Sequence, residues 1–144
     1  MASMVGSRGR GVELAHAGQR QAIQQRRRAA ERLLTLAEHL PAQDRLLLEQ
    51  VYRNGLSVAE VAHLMGARPR RLQRRVAQLL RRLRDPLFRF VVGRSDLLPR
   101  DVQPTARLVV IEGRSLRDAA RARGRSLHAV REQVRTLRTL AQVM

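Results

Sequence analysis

LPAQDRLLLEQVYRNGLSVAEVAHLMGARPRRLQRRVAQL, residues Leu40 to Leu79, returns as LPRDVQPTARLVVIEGRSLRDAARARGRSLHAVREQVRTL, residues Leu98 to Leu137, at a constant offset of 58 and without a gap. The identical pairs are Leu40/Leu98, Pro41/Pro99, Val51/Val109, Gly55/Gly113, Ser57/Ser115, Ala62/Ala120, Gly66/Gly124, Val76/Val134 and Leu79/Leu137. They fall on turn glycines, helix-capping serines and apolar positions, while the polar positions between them differ freely. Two units that share a backbone but not a surface leave this trace, and a repeat of this kind decides the architecture before any single motif does.

Each unit reads as three short helices. Asp44 to Arg53 sets Leu47, Leu48 and Val51 on one helical face. Gly55 stops that helix, and Ser57 with Glu60 forms an S-x-x-E capping box that starts the next one, Val58 to Met65, with Val61 and Ala62 turned inward. Gly66 ends it. Pro69 then opens a longer helix to about Leu83, its core stripe formed by Leu72, Val76, Leu79 and Leu83. In the second unit Gly113, Ser115 with Asp118, Ala119, Ala120, Gly124 and Ser126 occupy the same places, and Val130, Val134, Leu137 and Ala141 form the last stripe. A brief helix, a glycine-containing turn and a longer helix make the helix-turn-helix arrangement, whose second helix enters the major groove of DNA. The expected fold is therefore all-α, with tandem helix-turn-helix units and an N-terminal helix.

With the core stripe removed, the third helix of the first unit presents Arg70, Arg71, Gln73, Arg74, Arg75 and Gln78, with Arg68 in the turn before it. Arginine pairs bidentately with guanine and glutamine with adenine, so these seven are the expected DNA-binding residues of the first unit. Arg81, Arg82 and Arg84 extend the basic run toward phosphates. The matching helix of the second unit carries His128, Arg131 and Arg135, with Arg123 and Arg125 in its turn; Arg125, His128, Arg131 and Arg135 are the expected contacts there. Glu132 makes that surface mixed in sign, so the second unit reads either as a DNA contact or as a protein-docking module.

Residues Arg32 to Asp85 resemble the C-terminal helix-turn-helix domain, domain four, of bacterial RNA polymerase sigma factors of the sigma-seventy family. The resemblance is carried by Leu40-Pro41 with Arg45 after it, the Gly55-Leu56-Ser57 turn, Glu60-Val61-Ala62, Gly66, and the basic helix ending Leu83-Arg84. It implies binding of the −35 promoter element in the major groove, contact with the polymerase flap, and DNA contacts at Arg70, Arg71, Arg74 and Arg75. It covers 54 of the 144 residues. The first 39 residues hold no aromatic cluster of the kind that melts promoters in that family, and a divergent second copy follows instead. The expectation is a sigma-like regulator rather than an autonomous sigma factor.

Composition agrees with a polyanion partner. All 29 basic residues are arginine against 12 acids, a formal net charge of +17. The excess is +4 over residues 1–39, +7 over 40–97 and +6 over 98–144, so no detachable tail carries it. Cysteine is absent, which excludes disulfides, thiol nucleophiles and thiolate metal sites. The four histidines lie in different elements without metal-ligand spacing, and neither a phosphate-binding glycine loop nor a nucleophile elbow occurs, so neither enzyme chemistry, a metal nor a cofactor is expected. The longest apolar run, Leu108 to Ile111, is too short for a membrane span, and the first residues lack the apolar core of a secretory signal.

Residues 1–18 read as a flexible basic N-terminus, 19–85 as an N-terminal helix with the first unit, 86–97 as a linker whose Phe88 and Phe90 glue the units, and 98–144 as the second unit. The expected partners are double-stranded DNA and, beside it, RNA polymerase or a second copy of the chain, with no membrane; the expected location is the cytoplasm, on the nucleoid. A polymerase-docking module with weak DNA binding, or a nonspecific nucleoid or RNA-binding protein, would share the same composition.

Overall fold

The computed structural model describes residues 3–144, with side chains from residue 10 onward. The described residues form an all-α fold without strands. The elements are α1 Ser3–Ala37, α2 Ala42–Tyr52, α3 Val58–Met65, α4 Pro69–Arg84, α5 Pro86–Arg94, a 3₁₀ turn Ser95–Leu97, and α6 Gln103–Thr105, which runs into a π-helical segment Ala106–Ile111. α7 Leu116–Arg123 and α8 Leu127–Val143 complete the chain. Among the described residues no helix is long and apolar enough to cross a membrane.

The repeat is present in the backbone, register for register. Ser57 Oγ accepts from Glu60 N–H and Ser115 Oγ from Asp118 N–H, both at 3.1 Å. Gly66 and Gly124 end α3 and α7 in the left-handed region, at φ 64° and 61°. α4 and α8 begin at residues 69 and 127, 58 apart. Turn bonds recur at the same offset: Leu56 N–H to Gln50 O and Arg114 N–H to Leu108 O, then Ala67 N–H to Ala62 O and Arg125 N–H to Ala120 O. The caps and glycines thus impose one local geometry twice. The exception is the opening helix. Regular in the first unit as α2, in the second it is three α-helical residues beginning at Gln103-Pro104 and six π-helical ones.

Residues 86–97, expected as a linker, are mostly the helix α5. Asp85 caps it by accepting from Leu87 N–H at 3.0 Å, and Pro86 supplies the preset φ of a first helical position, so the Asp-Pro pair that stops α4 also starts α5. Leu87, Phe88 and Val91 are buried, Phe88 at 1% exposure. The inter-unit packing read from this stretch is therefore made by a helix. One apolar cluster joins Leu34, Leu48, Leu72, Leu79 and Leu83 of the first half to Phe88, Val91, Leu98, Val102 and Leu137 of the second. A smaller cluster, Ala119, Ala120 and Val130, sits under α7 and α8.

The N-terminal helix, expected from Gln19, begins at Ser3; residues 1–2 of the segment expected to be flexible lie outside the described residues. Its alanines, glutamines and arginines favour helix and no proline interrupts it, which offsets the glycines at 6, 9, 11 and 18. Leu34 and Ala37 anchor its last turns, whereas nearly every residue from Arg10 to Ala29 is exposed.

Polar ties complete the packing. Arg75 on α4 donates to both oxygens of Asp44 on α2, from Nη2 at 2.7 and 2.8 Å and from Nε at 3.0 Å. In α8 the residue 58 positions later is Gln133, which donates to Asp101 O at 3.2 Å and accepts from Arg123 Nη1 at 2.6 Å and from Thr105 Oγ1. The same shoulder of the last helix is tied to the opening of its unit both times, by an ion pair once and by an amide network once. Between the units, Arg82 Nη2 donates to Ile111 O at 2.6 Å. Burial lowers the proton affinity of this guanidinium, the Asp44 carboxylate partly restoring it and Arg75 lowering it further.

Gly55 and Gly113 share φ 69°, but a Cβ at Gly55 would meet open space while one at Gly113 would overlap the Arg82 guanidinium. Gly55→Ala is therefore expected to cost about 1–2 kcal/mol, the strain of a left-handed alanine. Gly113→Ala should cost roughly 1 kcal/mol more, because the Arg82 bond to Ile111 is lost as well. Urea unfolding measures both; equal losses would refute the seating of Arg82 between the units.

Candidate nucleic-acid interface

α4 supplies the densest cationic surface. Leu72, Val76, Leu79 and Leu83 are buried and fall on one face, so the rotation of the helix about its axis is set by the core. Arg68, Arg70, Arg71, Gln73, Arg74 and Gln78 are all exposed. α4 contains no acid, and the ion pairs among the described residues involve Arg45, Arg53, Arg75, Arg114 and Arg135 only. Six of the seven residues expected of the first unit thus form an exposed set of four guanidinium groups and two amides, with no carboxylate against them. The positive end of the α4 dipole adds to this field at Arg70 and Arg71.

Arg75 departs from this set. It was expected on the outer row, but its head group is committed to Asp44, a buried carboxylate. Arg82, expected on the phosphate-facing run, is likewise drawn in, to Ile111 O. The two are seven residues apart, on the shoulder of the core stripe rather than opposite it, and each finds an acceptor on a neighbouring helix. The spacing was readable in the sequence; the acceptors, 31 and 29 residues away along the chain, were not.

In the second unit Arg125, His128, Arg131 and Arg135 are exposed. Arg135 shares its charge with Glu132 at 3.2 Å. Arg123, expected in the turn beside Arg125, instead reaches inward to Thr105 Oγ1 at 2.7 Å and to Gln133. The second surface is therefore sparser than the first and partly self-neutralised.

A further feature lay outside the expected set. Between α1, the end of α2, the end of α4 and the start of α5 lies an open groove of about 620 Å³. Ala30, Leu33, Leu36, Val51 and Leu83 line its floor, and Arg26, Arg27, Arg32, Arg84 and Arg89 its rim, with no acid among the lining residues. Its elements are distant in sequence, so no local motif announces it.

Comparison with protein-family models, curated proteins and solved structures gave no match.

The neighbours Arg74 and Arg75 should separate cleanly on substitution. Arg75→Ala leaves the Asp44 carboxylate without its partner and is expected to lower stability by about 1–2 kcal/mol, between exposed and buried ion pairs because Arg75 is 42% exposed. Arg74→Ala should leave stability within about 0.5 kcal/mol. Chemical denaturation of the two variants decides, and equal effects would contradict the placement of Arg75.

Proposed function

We propose that the protein is a sequence-specific, double-stranded DNA-binding transcription regulator that presents α4 to the major groove. The observation that carries the reading is the exposed row Arg68, Arg70, Arg71, Gln73, Arg74 and Gln78, held outward by a buried apolar stripe and free of any acid partner. Unneutralised guanidinium groups at this density call for a polyanion, and amides between them call for something more patterned than phosphate alone. The Ser-capped short helix, left-handed glycine and longer helix support a helix-turn-helix reading, and the resemblance of residues Arg32 to Asp85 to sigma-factor domain four points the same way.

In this reading arginines at the ends of the row hold phosphates and set the register, while Arg70, Arg71, Gln73 and Arg74 read base edges. α8 makes a weaker second contact through Arg125, His128, Arg131 and Arg135. Two units in one chain then span neighbouring major grooves, an extended footprint of about two helical turns.

The groove favours a second activity beside the first: docking of a partner protein, RNA polymerase in the promoter setting that the resemblance implies. The apolar floor and the cationic rim, with no acid among the lining residues, are what support this second reading.

Arg74→Ala is expected to cost roughly 1–3 kcal/mol of DNA affinity and to relax selectivity at one base position. Anisotropy titrations against selected and scrambled duplexes check this, and an unchanged sequence preference would remove Arg74 from base readout. Arg84→Glu with Arg89→Glu should abolish co-elution with polymerase and leave the selected duplex bound through α4. If instead Arg70→Glu with Arg74→Glu spares DNA binding, the assignment of α4 to the major groove fails.

A further inference from the structure

From Leu14 to Ala30 the chain contains no acid, and within it runs QRQAIQQRRR, residues Gln19 to Arg28. In the structure this segment is helical, lies within α1, and is exposed throughout. The apolar side of α1 that enters the body is set by Leu34 and Ala37, with Leu33 and Leu36 half-buried beside them. At 3.6 residues per turn, Arg20, Gln24 and Arg28 fall one above another on the opposite side, with Gln21 and Gln25 alongside them. The face therefore runs about 12 Å along the helix and holds two arginines with three glutamines between them. It is turned away from the side that carries Leu34 and Ala37. A surface built only to attract phosphate has no use for three amides between its arginines.

We propose that this outer face of α1 is a further duplex-DNA contact, one that nothing in the repeat supplies: Arg20 and Arg28 hold phosphates at its two ends, and Gln21, Gln24 and Gln25 meet base edges between them. The chemistry is that of the α4 row, arginine with glutamine, presented on a second, independent helix, with Glu13 and Glu31 lying beyond its two ends. The inference rests on the reading of the chain as a DNA-binding protein, and its test is arranged to fail separately from that reading.

The test uses the full chain and a mixed-sequence DNA duplex several helical turns long, with affinity followed by anisotropy across a salt series. Arg20→Ala with Arg28→Ala should flatten the slope of log affinity against log salt by about 1.8, two phosphates at about 0.9 each. Arg20→Gln with Arg28→Gln, which preserves helix-forming side chains, should do the same, and circular dichroism confirms that either variant is folded. Gln21→Ala, Gln24→Ala and Gln25→Ala together should leave the slope in place and erase one block of base preference in duplexes selected from a random pool. An unchanged slope in both arginine variants overturns the inference. If Arg70→Glu with Arg74→Glu still weakens binding in that case, the proposed function survives it. A slope change from the α1 variants alone supports the inference and removes the α4 reading. A change seen with duplex RNA and absent with DNA overturns it.

Discussion

Burial of Leu72, Val76, Leu79 and Leu83 against the shared core is the constraint on which the rest of the molecule depends. Each such side chain contributes about 1.5–3 kcal/mol when removed from water. Like charges one turn apart on a helix surface cost only about 0.2–0.5 kcal/mol per pair. The stripe therefore fixes the rotation of α4 by a margin that its own arginines cannot reverse. The outward row is a consequence: residues that the core does not claim must face solvent or a partner. The two arginines on the shoulder of the stripe show where this division falls. Arg75 and Arg82 sit close enough to the packed side to be taken into it, and both find oxygen acceptors there.

Repetition with divergence makes this division visible twice. The shoulder position on the last helix of each unit is a structural tie, Arg75 to Asp44 in the first and Gln133 to Asp101, Arg123 and Thr105 in the second. Exchanging an ion pair for an amide network preserves the connection while changing its charge. A half-buried ion pair gains little over other ways of filling the same place, so the exchange carries a small energetic penalty. The outer rows have diverged further. Where the first unit has Arg74, the second has Glu132, which neutralises the neighbouring Arg135. The capped turn and the two helices after it keep one backbone geometry across the repeat, while the opening helix and the exposed chemistry do not.

Much of the fold was legible because it is written in local terms. Ser57, Ser115 and Ser126 cap helices that start where their spacing says, and Gly66 and Gly124 end them in the left-handed region. The all-α class and the core stripes follow from periodicity alone. What escaped is non-local or double in meaning. Asp85-Pro86 signals a stop to α4, but an aspartate before a proline is equally a cap before a first helical residue, and α5 starts there. The inward turn of Arg123 depends on Thr105 and Gln133, 18 and 10 residues away. The extent of α1 was hidden by its glycines, which lower helix propensity without forbidding the helix. Of the candidate site, the exposed arginines and glutamines of α4 and the exposed arginines of the second unit were readable, while the groove required four separate elements to meet.

The shared core also bears on how two DNA contacts would act together. Phe88, Leu98, Val102 and Leu137 belong to the same apolar cluster as Leu72, Leu79 and Leu83, and Arg82 bridges the halves through Ile111. Units joined by a flexible linker search for their second site over the volume that the linker allows, and much of the second binding energy is lost to that search. Units set in one core have already restricted that freedom during folding. On the proposed reading, α8 can then be a weak contact and still matter, because it meets DNA already oriented once α4 is seated. The sparser, partly neutralised surface of the second unit is what such an arrangement permits: affinity is supplied mainly by the first unit, and the second adds register at little cost in ordering.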